Sequence, residues 1–173
     1  MRAVKFVLAF AGAAALGHVV TIMAAPQVIM AVAMHRLSQQ GALVNRFRFM
    51  PRVDARARAV VRPSPDLAYA ACVYDLARGP ILVSAGPSAD HGYASLSVFA
   101  ADSDMIAVDD SFAHPAGQRF VLALPGQAVP TGVPVVRAVS RRGVILDRRL
   151  APDAAAFAAA DAGRRGDTCA PLS

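Results

Sequence analysis

The chain is predicted to fold as a mainly β protein: a small antiparallel β-sandwich or barrel-like domain, preceded by an N-terminal transmembrane helix and followed by a short C-terminal helix. Three observations carry this. Residues 6–34 contain no Asp, Glu, Lys or Arg. Beyond residue 52, short runs alternate between apolar and polar residues and are separated by Gly, Pro, Asp and Ser, the pattern of half-buried strands joined by tight turns. Residues 153–162 are Ala-rich and follow Pro152, as at the first turn of a helix.

A length of 173 residues suits one domain with one added element. Hydrophobic residues make up 55% of the chain, and the excess is concentrated in its first 34 residues. The expected organisation is an anchor and helical extension over 1–41, an Arg/Pro-rich connector with a first strand over 42–61, and a β-rich domain over 62–173.

The N-terminal segment is read first. A bilayer core takes about 20 apolar residues as helix, and residues 6–25 supply them with only His18 and Thr21 clearly polar. A core helix of a soluble protein would show a polar face; this segment has none. A cleaved signal peptide is the competing reading, since Arg2 and Lys5 form a basic start. The apolar run is long for that, and Met23-Ala24-Ala25-Pro26 is a poor cleavage site, so an uncleaved signal anchor is expected. Arginines beyond the segment outnumber Arg2 and Lys5, and the positive-inside rule alone would put the domain in the cytoplasm. The cysteines and the resemblance described below argue for the outside. Pro26 is expected to kink or restart the helix. Residues 27–40 then read as an amphipathic continuation, apolar at Val28, Met30, Ala31, Met34 and Leu37, that ends at Gly41. It either lies in the membrane interface or packs on the domain.

Strands are predicted at residues 57–61, 67–76, 80–84, 93–99, 105–108, 119–124, 133–139 and 144–150. Residues 133–149 read as a hairpin around Arg141-Arg142-Gly143. Antiparallel pairing follows, because no helix-length crossover separates the strands.

The net charge of +6 rests almost wholly on arginine, Lys5 being the only lysine. Arg46, Arg48, Arg52, Arg56, Arg58 and Arg62 crowd the stretch after the apolar segment. That position favours anionic lipid headgroups over nucleic acid, for which neither paired aromatic strands nor zinc-ligand spacing is present. The same arginines equally read as a solubilising surface.

Catalytic signals are absent from the sequence. There is no serine elbow, no glycine-rich phosphate loop and no histidine pair at metal spacing. Asp102, Asp104, Asp109 and Asp110 lack the spacing of a calcium loop and read as turn acids. No metal or cofactor is expected. Asp66, Tyr69, Asp75, His91 and Tyr93 could line a polar pocket, or form hydrogen-bond networks that fix strand ends. Cys72 and Cys169 allow one pairing. A bridge would tie the C-terminal tail to the sheet in an oxidising compartment; otherwise they are two separate thiols.

One stretch resembles a known family. Arg62-Pro63-Ser64-Pro65-Asp66-Leu67-Ala68-Tyr69, then Val73-Tyr74-Asp75-Leu76, Gly79-Pro80 and Tyr93-Ala94-Ser95-Leu96 are similar in order and spacing to the bacterial domain of unknown function 1254 family. The resemblance implies a β-rich fold. In long members this domain precedes a second β domain, of the 1214 family, so a companion protein of that type is an expected partner alongside the lipid bilayer. Leu67 stands where the family has Thr after Pro-Asp, which weakens the case for a polar site there. The expected protein is a non-enzymatic, membrane-anchored envelope protein of the bacterial inner membrane, single-pass and with its soluble domain periplasmic, that binds a partner. The alternative is an enzyme or small-ligand binder using the polar pocket.

Overall fold

The computed structural model describes residues 2–54, 56–57, 63–89 and 92–172. The uncharged N-terminal run forms one helix, α1 (Arg2–Leu37), continuous through Pro26. The proline removes a single N–H donor from the ladder, and the turns on both sides carry on, so the helix does not restart there. α1 ends four residues before Gly41. Gln39, Gln40 and Gly41 then take left-handed backbone angles (φ 51°, 61° and 98°), and Gly41 N–H donates to Ser38 Oγ (3.0 Å). This turn sends the chain back along the domain.

Among the described residues nine strands follow: β1 (Phe47–Phe49), β2 (Leu67–Asp75), β3 (Ile81–Ala85), β4 (Ala94–Ala100), β5 (Met105–Asp110), β6 (Gln118–Ala123), β7 (Val135–Arg137), β8 (Arg142–Leu150) and β9 (Thr168–Pro171). A second helix, α2 (Ala154–Arg164), lies between β8 and β9. Among the described residues these strands make two sheets, ordered β1-β2-β8-β4-β5 and β7-β6-β3-β9. The sheets stack as an open sandwich.

Side-chain alternation along β2 and β8 explains the layering. Ala70, Cys72, Tyr74 and Ile145 face inward and meet Ile81, Val83, Phe120 and Leu122 of the other sheet in the main core. Ala71, Val73 and Val144 face outward, and there they meet Met30 and Met34 of α1, flanked by Ala33 and Leu37. Positions 30, 33, 34 and 37 fall on one helical stripe, so the last two turns of α1 are packed onto the domain. Residues 2–24 of α1 are exposed.

Several features differ from expectation. The hairpin over 133–149 does not form: β7 pairs parallel to β6 in the second sheet, while β8 lies in the first. The reason is that β8 is already paired on both edges, with β2 over nine positions and with β4 over seven, so no edge is left for β7. The all-antiparallel expectation fails at that same β6–β7 pair. β1 and β9 were not predicted as strands. The strand expected at 57–61 falls outside the described residues except for Ala57. The helix after Pro152 is present, but its cap is Asp153, whose Oδ1 accepts from Ala156 N–H (2.9 Å).

Candidate functional site

Cys72 on β2 and Cys169 on β9 are bonded, with Cα atoms 6.5 Å apart and a sequence separation of 97. The link joins the two sheets across the core. It anchors β9, whose four residues pair only with β3.

A cluster of buried charges closes one end of the sandwich. On β8 the inward positions after Ile145 are Asp147 and Arg149, 1% and 0% exposed. Arg149 Nη2 donates to Asp167 Oδ2 (2.7 Å), its Nε to Asp147 Oδ2 (3.3 Å), and its Nη1 and Nη2 to the carbonyls of Pro87 and Gly86 (3.1 and 3.3 Å). Asp167 Oδ1 accepts from Gly86 N–H (2.9 Å). One guanidinium thus ties the loop after β3 to the residue just before β9. Asp147 Oδ1 finds no hydrogen-bond partner among the described residues. Burial pushes the Asp147 carboxyl up to about 6; Arg149 draws it down and Asp167 pushes it further up. Asp167 is also raised by burial, against the pull of Gly86 N–H and Arg149. Sequence reading missed this cluster, although its signal was present: a period-2 strand that puts Ile145 inside must also put Asp147 and Arg149 inside.

Next to this cluster, Arg164 of α2 is fully buried. It donates to the carbonyls of Tyr69 and Met50 and to Asp161, and its guanidinium lies 5.8 and 5.4 Å from the ring centres of Phe49 and Phe157. These contacts fasten α2 to β1 and β2 and are of a structural kind.

The expected polar pocket residues are not all brought together. Asp66 is exposed at the start of β2, and Tyr69 is half-buried on the outer face, where its Oη accepts from Ser64 N–H (2.9 Å). Tyr93 stacks on Phe112 with ring centres 5.5 Å apart, at the same end of the sheet, where its carbonyl accepts from Leu150 N–H. Asp75 closes the opposite end of β2, about 20 Å from Tyr69 at 3.3 Å per residue. There it faces Arg141 and Arg142 (3.7 and 3.5 Å) and exchanges two hydrogen bonds through its backbone with the Asn45 side chain. His91 lies outside the described residues. Three of the four aspartates read as turn acids do bind nearby backbone: Asp102 accepts from Asp104 N–H, Asp109 from Asp110 N–H, and Asp110 from Phe112 and Ala113 N–H.

The arginines after α1 divide. Arg46, Arg52 and Arg56 are exposed, and Arg52 reaches the Pro152 carbonyl (3.3 Å). Arg48 is half-buried, and its Nη1 donates to the Arg36 carbonyl in the last turn of α1 (3.0 Å). Arg58 lies outside the described residues. Arg48 and Arg36 line a hollow of about 350 Å³ together with His35, Gln39 and Gln40. An adjoining hollow of about 360 Å³ shares His35 and Gln40 and adds Ser38 and Arg142.

A two-sheet sandwich behind a helix long and apolar enough to cross a membrane defines the class of protein. The chain belongs to the family described as protein of unknown function DUF1254, which matches residues 44–171. Its fold is similar to that of the VPA0106 protein from Vibrio parahaemolyticus, with a TM-score of 0.67 at 18% identity, covering 86% of this chain and 36% of that one. A looser likeness is to an uncharacterized protein from Burkholderia cenocepacia (TM-score 0.42, 19% identity, 87% of this chain and 39% of that one). The chain thus spans little more than a third of the length of either. No curated protein matches it.

Proposed function

We propose that this is a membrane-anchored, non-enzymatic interaction domain of the bacterial envelope. α1 spans the inner membrane once, as an uncleaved anchor, and holds the DUF1254 sandwich on the periplasmic side. The observation that carries this is the exposure of α1. Thirteen large apolar side chains between Val4 and Val32 are exposed, Phe6 and Phe10 by 75% and 76%. At about 1.5–3 kcal/mol for each such side chain removed from water, roughly 20–40 kcal/mol favours covering this surface with hydrocarbon. Among the described residues, the domain packs against the stripe at Met30, Ala33, Met34 and Leu37.

The periplasmic placement is supported by the Cys72–Cys169 link, because disulfides persist in oxidising compartments. A companion protein of the DUF1214 type is the proposed partner. The coverage of the Vibrio structure supports it, since there this fold occupies about a third of a longer chain.

A phosphatase reporter active only outside the cytoplasm, fused after Ser173, tests the placement. High reporter activity with the anchor uncleaved is expected, whereas a cytoplasmic reporter signal would refute it. Co-expression with a DUF1214 protein of the same genome is expected to give a complex of fixed stoichiometry. Two proteins that elute separately at micromolar concentration would remove the partner.

A further inference from the structure

We infer that the hollow where α1 meets the sandwich binds the phosphate of an anionic phospholipid headgroup. The inference rests on the reading of α1 as a membrane anchor and adds a ligand to it.

Depth is the first argument. The 29 uncharged residues from 6 to 34 are about 43 Å long as helix. A bilayer is about 40–45 Å thick when its headgroup layers are included. With α1 across the membrane, Lys5 therefore reaches one boundary, and His35 and Arg36 reach the other. The hollow opens at that second boundary, and the packing of Met30 and Met34 on the sheet holds the domain at that height.

Chemistry is the second. Arg36, Arg48 and His35 line the hollow with the amides of Gln39 and Gln40, and no carboxylate lines it among the described residues. Arg142 stands in the adjoining space, with its Nε 3.5 Å from Asp75 Oδ2. Arginine forks suit phosphate oxygens because two parallel N–H groups match them. Arg48 spends only Nη1 among the described residues, on the Arg36 carbonyl. That bond also covers part of the negative end of the helix, which would otherwise repel an anion.

Preorganisation is the third. The left-handed turn at Gln39 and Gln40 brings both side chains to the same hollow, and the hydrogen bond from Arg48 fixes that arginine over the last turn of α1. A bound phosphate would meet a set of donors already in place.

The test uses the whole 173-residue chain in neutral maltoside micelles, titrated by calorimetry with dihexanoyl phosphatidylglycerol, dihexanoyl phosphatidylcholine or inorganic phosphate. One phosphatidylglycerol per chain is expected, bound at least tenfold tighter than either of the others. The double variant R48Q/R142Q should weaken that binding at least tenfold with its unfolding midpoint unchanged, while R119Q, on an exposed position of β6, should bind like the parent. Should the double variant melt early, R142Q alone should still lose at least threefold. Equal binding of phosphatidylcholine, or unchanged binding by the variants, would overturn the inference. Inorganic phosphate binding as tightly as phosphatidylglycerol would make this a free-phosphate site and overturn the lipid source. A chain that resists carbonate extraction but shows no headgroup preference loses this inference and keeps its anchor. A chain released by carbonate loses the anchor, and the lipid source with it.

Discussion

Tyr74 lies directly opposite Gly143 in the β2–β8 register and reaches over it to donate its hydroxyl hydrogen to the Phe99 carbonyl on β4 (3.2 Å). The contact spans three strands and is possible only because position 143 has no side chain. A Cβ there would sit 2.5 Å from Tyr74 Oη and 2.1 Å from Phe99 O. Gly143→Ala is therefore expected to cost about 3 kcal/mol or more through forced displacement of a central strand. Tyr74→Phe, which removes one hydrogen bond, should cost about 1 kcal/mol. Urea unfolding of both variants checks the ranking; equal losses would contradict it.

The Cys72–Cys169 link closes a loop of about a hundred residues. Replacing both cysteines with alanine should lower stability by about 4–5 kcal/mol on the chain-entropy account, and β9 should lose hydrogen-exchange protection first. Protein isolated without reductant should take up no thiol-labelling reagent until it is unfolded and reduced.

Asp147 sets the pH response of the sandwich. Its folded carboxyl titrates near 6 against an ordinary value of 3.8, chiefly because of burial. The folded state thus holds this proton more tightly than the unfolded chain does. Stability from this group is complete below about pH 4 and is lost as pH rises through about 6, a change of about 3 kcal/mol. Asp167 is shifted in the same direction and adds to the slope. Asp147→Asn should flatten the stability profile between pH 4 and 7 and retain the Arg149 contact through its amide oxygen. A variant with the parent's slope would remove Asp147 from the account.

Arg164, fully buried, should be the costliest residue of α2 to replace with an apolar one. Arg164→Met leaves the Met50 carbonyl without the guanidinium and removes one of two donors from the Tyr69 carbonyl and one of two arginines from Asp161, and a loss of about 3 kcal/mol is expected. Arg165, 57% exposed, shares the Asp161 partner, yet Arg165→Met should change stability by less than about 1 kcal/mol. Thermal unfolding of the pair separates a buried bridge from a surface one.

Much of this architecture was readable from the residues. α1 announced itself through 29 uncharged positions, and β2 and β4 through strict alternation. What was not readable depended on partners distant in sequence. Val135–Arg137 carries no sign of which sheet it joins, because that is decided by β8 having both edges occupied. β9 is a strand only because Cys169 and the β3 edge hold it, and Phe47–Phe49 only because β2 offers it an edge. The pocket grouping failed at Asp75 for a simpler reason: residues near each other in sequence on one strand can stand at its opposite ends. The hollow beside α1 could not be foreseen, since Arg36, Arg48 and Arg142 meet only once the helix has docked.

Alkaline carbonate extraction of membranes from cells making the unprocessed chain tests the anchor most directly. Retention of the protein in the membrane pellet, at full mass and released only by detergent, is the outcome this account predicts. Recovery of the unprocessed chain in the soluble fraction would contradict it.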